Sequence, residues 1–356
     1  MIEIPVKINS KNTEYPIKIT NEEISLFAKK IHEIIKDKNF LIVISEKVEK
    51  IYGKTLNLPK TNKFILKDGE KHKNFNNYKK ILEKSLKLKL TRKDVIIAIG
   101  GGVVGDITGF VASTYMRGID FIQIPTTLLG CVDSSVGGKT AINTDFGKNL
   151  VGTFYQPKQV LINTKFLKTL DERQFKTGLA EVVKYAFIEK SCLCDEELNL
   201  INFLTEKFNN ILNKDEKTLA KLIEICVKLK KSVVEKDEKE TDLRRILNFG
   251  HTYGHAVEKI TNYKKYTHGE AIVAGMIFAF DMAVKTDIID KNYKFFANDV
   301  ISKFNFKKIS KYKIEKIINI MQMDKKVIDN KLVFILPTNY SEVGIFEIDP
   351  KQISEQ

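Results

Sequence analysis

The sequence holds five histidines, at positions 32, 72, 251, 255 and 268, and three of them fall within eighteen residues. His251 and His255, four apart, share one face of a helix, and His268 follows in His268-Gly269-Glu270. A single histidine is readily a helix cap or a core residue. Three grouped in a chain with five point to a metal centre. A catalytic metal with an open position takes three protein ligands, commonly two imidazoles and a carboxylate. Glu258, Glu270 and Glu181 all qualify on chemistry, and spacing leaves the choice open. Glu181 is one acid in the apolar stretch Gly178-Leu179-Ala180-Glu181-Val182-Val183-Lys184-Tyr185, with Lys184 on the same helical face. A buried salt bridge therefore explains it equally well. No His-Glu-x-x-His is present, which argues against a zincin protease. Cys192 and Cys194, one residue apart with no second pair, do not make a zinc knuckle.

A second chemical feature lies upstream. Eleven of the nineteen glycines fall between Gly100 and Gly152. The apolar run Val95 to Ile99 leads into Gly100-Gly101-Gly102-Val103-Val104-Gly105-Asp106, a G-x-G-x-x-G after a strand and before a helix. There, backbone amides and a helix N-terminus can approach a pyrophosphate. A structural tight turn accounts for the motif nearly as well by itself. The loop follows a third or fourth strand instead of the first, so the expected dinucleotide domain is wired differently from the usual one. Asp120 precedes its strand and is badly placed for a ribose, whereas Glu46 and Glu70 each follow one. Gly137-Gly138-Lys139-Thr140 resembles the end of a P-loop, but position 133 carries Asp where a glycine is required. ATP hydrolysis is thereby disfavoured. What survives is a lysine, Lys139, beside glycines, joined by Lys148-Asn149 after Gly147.

The elements that must position these residues are of two kinds. Short apolar runs at Phe40 to Ile44, Lys63 to Leu66, Val95 to Ile99 and Phe121 to Ile124 alternate with helical stretches, including one from about Asn76 to Leu88. That pattern predicts a parallel sheet with covered faces. Beyond Leu170 the segments are long and helical in period: Lys217 to Glu235, Arg245 to Ile260 and Gly269 to Lys285. Only Leu332 to Leu336 and a partner near Val343 to Ile348 read as strands, in a small hairpin. The fold class expected is α/β, with a parallel-sheet, Rossmann-like dinucleotide domain over residues 1–168. A mostly helical domain carrying the histidine cluster follows over 169–356, the boundary lying near Asn163 to Leu170.

Length and composition agree with two domains sharing a cleft: 356 residues, 43% of them hydrophobic. The longest apolar run, Ala271 to Phe280, is too short to cross a bilayer, and Met1-Ile2-Glu3-Ile4 lacks a signal-peptide pattern. No membrane partner is therefore expected, and four cysteines in so long a chain suit a reducing cytoplasm. The net charge of +14 does not imply a nucleic-acid partner, because 54 of the 59 basic residues are scattered lysines. The five arginines are Arg92, Arg117, Arg173, Arg244 and Arg245. In so lysine-rich a chain a guanidinium fork suggests a bidentate anion, which makes Arg117 and Arg244 candidates. Arg92 and Arg173 read as surface residues.

Taken in order, these motifs resemble 3-dehydroquinate synthase, of the sugar-phosphate cyclase group, nearly end to end. The resemblance is carried by Asp68-Gly69-Glu70 with Lys73, Gly100 to Asp106, Pro125-Thr126-Thr127-Leu128, Asp133 to Asn143 and Gly147-Lys148-Asn149. Gly178 to Tyr185, Asp237-Glu238-Lys239-Glu240, Leu247 to His255, His268-Gly269-Glu270 and Asp324-Lys325-Lys326 continue it. It implies a homodimeric cytoplasmic enzyme that converts 3-deoxy-D-arabino-heptulosonate 7-phosphate, a sugar phosphate carrying a carboxylate, to 3-dehydroquinate and phosphate. This is the second step of the shikimate pathway. The cofactors implied are NAD, used transiently, and a divalent metal, zinc or cobalt.

The resemblance also implies roles. Glu181, His251 and His268 become the metal ligands, and His255, which spacing alone offers as a ligand, becomes a substrate or proton-handling residue. Cofactor contacts fall on Glu46, Asp68, Gly69, Glu70, Lys71, His72, Lys73, Gly102, Val103, Val104, Gly105, Asp106, Thr126, Thr127, Lys139, Lys148, Phe166, Leu167, Lys168 and Thr169. Substrate contacts fall on Asp133, Asn149, Lys184, Lys230, Arg244, Asn248, His255 and Lys325, with Arg117 reaching the phosphate from the neighbouring subunit. Asp133, Lys139, Lys184 and His255 form the catalytic set. One departure is Ser45-Glu46, where the family usually has Thr-Asp; a longer acid still reaches ribose hydroxyls, with NAD affinity altered. Two rivals share the pattern in part. A related cyclase would act on another sugar phosphate, and a metal-dependent polyol dehydrogenase usually has Asp at the position of Glu181.

Overall fold

The computed structural model describes residues 1–8, 13–310, 312–322, 327–328 and 331–354. The chain divides into two compact units, Met1–Leu170 with Asn209–Glu235, and Asp171–Phe208 with Lys236–Gln356.

In the first unit the strands are β1 (Ile2–Ile8), β2 (Thr13–Thr20), β3 (Phe40–Ser45), β4 (Lys63–Leu66), β5 (Val95–Gly100), β6 (Asp120–Pro125), β7 (Lys139–Thr144), β8 (Gly147–Phe154) and β9 (Gln159–Asn163). The helices are α1 (Ile24–Ile35), α2 (Glu46–Leu56), α3 (Phe75–Lys87), α4 (Gly102–Thr114) and α5 (Lys165–Lys168). Seven strands form one sheet in the order β1-β2-β9-β6-β5-β3-β4, parallel except for the β1–β2 pair. Alternation of side chains across each strand builds a core on both faces. Ile97, Ile99 and Ile124 point to the side of α1 and α2, packing with Phe27 and Ile31. Ile96, Ala98 and Phe121 point to the side of α3 and α4, packing with Ile81, Ile107 and Phe110.

The expected parallel sheet is present and larger than the four apolar runs indicated. β1 alternates apolar and polar residues, so it reads as half-exposed and escapes a search for buried runs. With β1 and β2 ahead of it, the strand before the glycine loop is fifth in chain order, not third or fourth. The glycine-rich stretch after Gly138 is a separate antiparallel hairpin, β7–β8, which the sequence did not suggest.

The second unit holds α6 (Glu172–Ile188), α7 (Leu200–Glu206), α10 (His251–Ile260), α11 (His268–Lys285), α12 (Lys291–Lys303), α13 (Ile314–Gln322) and α14 (Pro350–Ser354). The short α8 (Phe208–Leu212) leads back to the first unit, where α9 (Glu216–Lys236) belongs up to Glu235. The expected terminal hairpin is β11 (Lys331–Asn339) with β12 (Glu342–Ile348), joined by a short β10 (Val327–Ile328). Phe280 of α11 centres the core, meeting Phe187, Phe249 and Tyr293 edge-on at 5.1–5.8 Å. The helix expected from Arg245 to Ile260 is broken: a 3-10 turn spans Leu243–Asn248, and α10 starts only at His251. Gly250, at φ +77°, makes the break, and its carbonyl lies so close to Gly275 of α11 that a Cβ there would sit 1.8 Å from it. Backbone against backbone at this crossing fixes where the first turn of α10 begins.

Candidate active site

The second unit gathers the histidines. His251 opens α10, directly after Gly250, and His268 opens α11 behind a capping box made by Thr267 and Glu270. Glu181, 1% exposed in α6, faces both: its Oε1 lies 3.7 Å from His251 Nε2 and 3.3 Å from His268 Nε2. The candidate ligand atoms of the three residues lie within 4.8 Å of one another. Lys184, one turn along and equally buried, places Nζ 2.5 Å from the second Glu181 oxygen. The salt bridge and the imidazole cluster, alternatives in the sequence, therefore coexist on one carboxylate.

The other two acids have different employment. Glu270 receives Arg173 at two points, Nε and Nη2, each at 2.8 Å, and accepts the Thr267 amide at 2.9 Å. Arg173, expected to be a plain surface residue, is half-exposed and spends its fork on this cap. Glu258, buried in α10, meets His268 on its other nitrogen, Oε2 to Nδ1 at 3.1 Å. His255 stands one turn beyond His251, its ring 5.2 Å from that of His251 and 6.1 Å from that of His268. Burial disfavours a charged imidazole at His268, yet Glu181 and Glu258 outweigh it and raise its pKa to about 10. The centre is built to hold positive charge.

In the same unit, Arg244 is 1% exposed in the 3-10 turn, its Nη1 donating to the Glu238 carbonyl. That turn hangs on Asp237, which accepts the backbone amides of Thr241, Asp242 and Arg244 at 2.8–3.0 Å. Burial alone would raise the Asp237 pKa, but these amides bring it down to about 2. Asn248 donates to Glu240 at 2.5 Å, a contact the sequence did not suggest.

The first unit carries the glycine loop. β5 ends at Gly100 and α4 begins at Gly102, with no side chain capping its first turn. These glycines are needed for closeness, not for an unusual φ. A Cβ on Gly101 would meet Thr127 Cγ2 at 2.9 Å, and one on Gly102 would meet Ser134 Oγ at 3.0 Å. Val103 is half-buried, while Val104 and Gly105 are buried beneath the loop. Thr126, buried, donates its amide to the Gly100 carbonyl at 2.9 Å, which ties β6 to the loop.

A polar cluster forms next to it. Lys73, 4% exposed, lies 2.9 Å from Asp106 and 3.1 Å from Glu70, and Asn143 of β7 donates to Glu70 at 2.8 Å. Burial alone would lower the Lys73 pKa; the charges of Asp106 and Glu70 overcome it and hold the ammonium above its ordinary value. Lys148 adds a favourable charge to Glu70, and Asn149, left-handed at φ 56°, donates its amide to Asn143 at 3.0 Å. Asp68 accepts the Lys47 amide at 3.0 Å at the start of α2, beside exposed Glu46, and Gly69 turns the chain at φ +107° into Lys71 and His72. Asn143, absent from the expected contacts, links three of them.

Asp133 sits in a π-helical turn and accepts from Lys230 Nζ at 2.7 Å, while Lys139 opens β7 on an exposed face. Phe166 and Leu167 are buried, Phe166 edge-on to Phe27 and Tyr52, so their side chains serve the core. Lys168 pairs with Glu216, and Thr169 bonds the Tyr52 hydroxyl at 2.8 Å. Arg117 is exposed on a turn in which Met116, Arg117 and Gly118 all have positive φ. Lys325 and Lys326 lie outside the described residues.

Two family models match successive parts of the chain. The model of 3-dehydroquinate synthase, N-terminal, matches residues 63–177, and that of 3-dehydroquinate synthase, C-terminal, matches residues 178–327. The 3-dehydroquinate synthase of Dictyoglomus thermophilum is 41% identical, over 96% of this chain and 94% of its own. That of Campylobacter hominis is 40% identical, over 92% and 94%. Among solved structures, 2-deoxy-scyllo-inosose synthase complexed with carbaglucose-6-phosphate, NAD+ and Co2+ aligns at a TM-score of 0.82 with 24% identity, covering 99% of this chain and 98% of that one. A 2-epi-5-epi-valiolone synthase from Streptomyces hygroscopicus with NAD+ and Zn2+ bound aligns at 0.83 with 22% identity, covering 96% and 95%. These structural likenesses speak for the fold. Two family models in tandem over most of the chain, with relatives at 40% identity along nearly all of it, show that the chain belongs to the 3-dehydroquinate synthase family.

Proposed function

We propose that the chain converts 3-deoxy-D-arabino-heptulosonate 7-phosphate to 3-dehydroquinate and phosphate, with NAD held by the first unit and a divalent ion, zinc or cobalt, by the second. The observation that carries the reading is the set Glu181, His251 and His268, two imidazole Nε2 atoms around one buried carboxylate oxygen, in a chain of this family. Two imidazoles and a carboxylate suit a divalent ion that keeps a position open. The glycine loop, closed to any Cβ and leading into an uncapped helix, suits a pyrophosphate. When bound, NAD supplies a hydride acceptor and the ion a Lewis acid at the substrate oxygen.

The chain's own groups bind and orient. Arg244 and Asn248 are assigned to the substrate's carboxylate, where a guanidinium fork matches a planar anion, and Lys230 is assigned to substrate contact. Asp133 and Lys139 orient hydroxyls, Lys184 holds the second Glu181 oxygen and reaches substrate, and His255 handles a proton. Glu46, Asp68 and Glu70 would serve the nucleotide's ribose side, and Lys73, paired with Asp106 and Glu70, would also contact the nucleotide. The family resemblance implies that the departing phosphate takes up the proton of its own elimination, so that no dedicated base is required. We further assign a homodimer, with Arg117 and Lys325 on the substrate phosphate and Arg117 supplied across subunits. A cytoplasmic setting is consistent with four cysteines that no disulfide joins.

The test follows phosphate release from the heptulosonate phosphate together with NADH absorbance. Release with no net NADH, abolished by a chelator and restored by zinc or cobalt, is the expected result. Steady NADH production from a polyol without phosphate release would make the chain a dehydrogenase.

A further inference from the structure

The two histidines that face Glu181 are anchored through their other nitrogen, and in different ways. His251 Nδ1 lies 3.1 Å from the Phe249 carbonyl, a neutral partner from the turn before α10. His268 Nδ1 lies 3.1 Å from Glu258 Oε2, an acid only 4% exposed. Glu258 follows His251 and His255 at the i, i+4, i+7 spacing, so all three lie along one face of α10. From there Glu258 reaches the first residue of α11. Its backbone helps too: its carbonyl accepts the Tyr263 amide at 2.8 Å, closing the turn that follows α10.

An imidazole whose Nδ1 is held by a carboxylate keeps its proton there and turns the Nε2 lone pair outward. We propose that Glu258 is a positioning residue of the metal centre, fixing His268 as an Nε2 ligand and raising its basicity toward the ion. The inference rests on the reading that Glu181, His251 and His268 hold that ion. Geometry assigns the acids unlike tasks: Glu181 stands on the Nε2 side of both rings, Glu258 on the Nδ1 side of one. A second grouping, His255, Glu258 and His268, also brings ligand atoms within 4.8 Å, so the test must separate an orienting Glu258 from a ligating one.

Zinc affinity is measured by chelator competition on protein free of NAD and substrate, for the wild type, E258Q and E181Q. Glutamine still reaches Nδ1 but carries no charge. E258Q is expected to bind one zinc per chain with about 10- to 100-fold weaker affinity, and E181Q to lose the ion. Unchanged affinity in E258Q, beside tight binding in the wild type, overturns the proposal and leaves the metal centre standing. A wild type that binds no zinc overturns the metal centre and the proposal together. Loss of zinc in E258Q with retention in E181Q makes Glu258 a ligand, which also overturns it. A measurement without any variant is the nitrogen NMR spectrum of zinc-loaded wild type. The proton of His268 must reside on Nδ1; a metal-bound Nδ1 refutes the assignment.

Discussion

Glu181, Glu258 and Glu270 are chemically alike, and the sequence offers no ground for choosing among them. Glu181 lies seventy residues before His251, and helical spacing carries no information over that distance. Only the packing of α6 against α11 decides which acid meets the Nε2 atoms. The arginines stood out because a guanidinium is scarce in this chain. In the structure Arg244 is buried with Nη1 on the Glu238 carbonyl, Arg117 is exposed, and the fork of Arg173 meets an internal acid, Glu270. Lysine at position 244 would keep the charge and lose the planar pair of donors. Arg244→Lys is expected to raise the KM for the heptulosonate phosphate about tenfold or more while leaving the NAD dissociation constant within about twofold. Steady-state kinetics with the heptulosonate phosphate and calorimetric titration with NAD check this, and equal losses for both would remove Arg244 from the substrate site.

Burial on both faces made β3 and β5 legible as continuous apolar runs, and β6 as one interrupted only by Gln123. Yet the equally buried β9 went unread, while β4 and β12 were read although partly exposed. β1 alternates and β8 is largely half-exposed, so neither has the signature of a core strand. The break between the 3-10 turn and α10 was also hidden, because Gly250 looks like any helix glycine until Gly275 is seen against its carbonyl. Gly275→Ala is expected to destabilise the chain by about 3 kcal/mol, the upper range for overpacking. It also shifts the first turn of α10, which carries His251, so zinc affinity falls with stability. Denaturant unfolding with and without zinc measures both; a tolerated alanine would show that the crossing relaxes freely. The Asp237 turn has a pH signature. Its folded pKa is about 2, below the ordinary value near 4, so its contribution is complete above about pH 4 and disappears as the pH falls through 2. Asp237→Ala is expected to cost about 2 kcal/mol at pH 7 and much less near pH 2. A cost that stays constant over that range would contradict the assignment.

For the whole molecule, the excess of lysine said little, and the order of motifs said most. Among the described residues no helix is long and apolar enough to cross a membrane. The proposed homodimer has a direct consequence for Arg117. In a mixture of Arg117→Ala and Lys184→Ala chains, each inactive alone, a heterodimer regains about one working site of two. Purified heterodimer without activity would keep Arg117 out of the neighbouring site. The course of the chain matters here as well. It leaves the first unit at Leu170, returns for Asn209–Glu235 and leaves again. Lys230, which grips Asp133, lies on the returning segment. A fragment ending at Leu170 therefore lacks the partner of Asp133. Nor can one genetic crossover exchange the unit that carries the histidine cluster between relatives, since a clean swap needs three junctions.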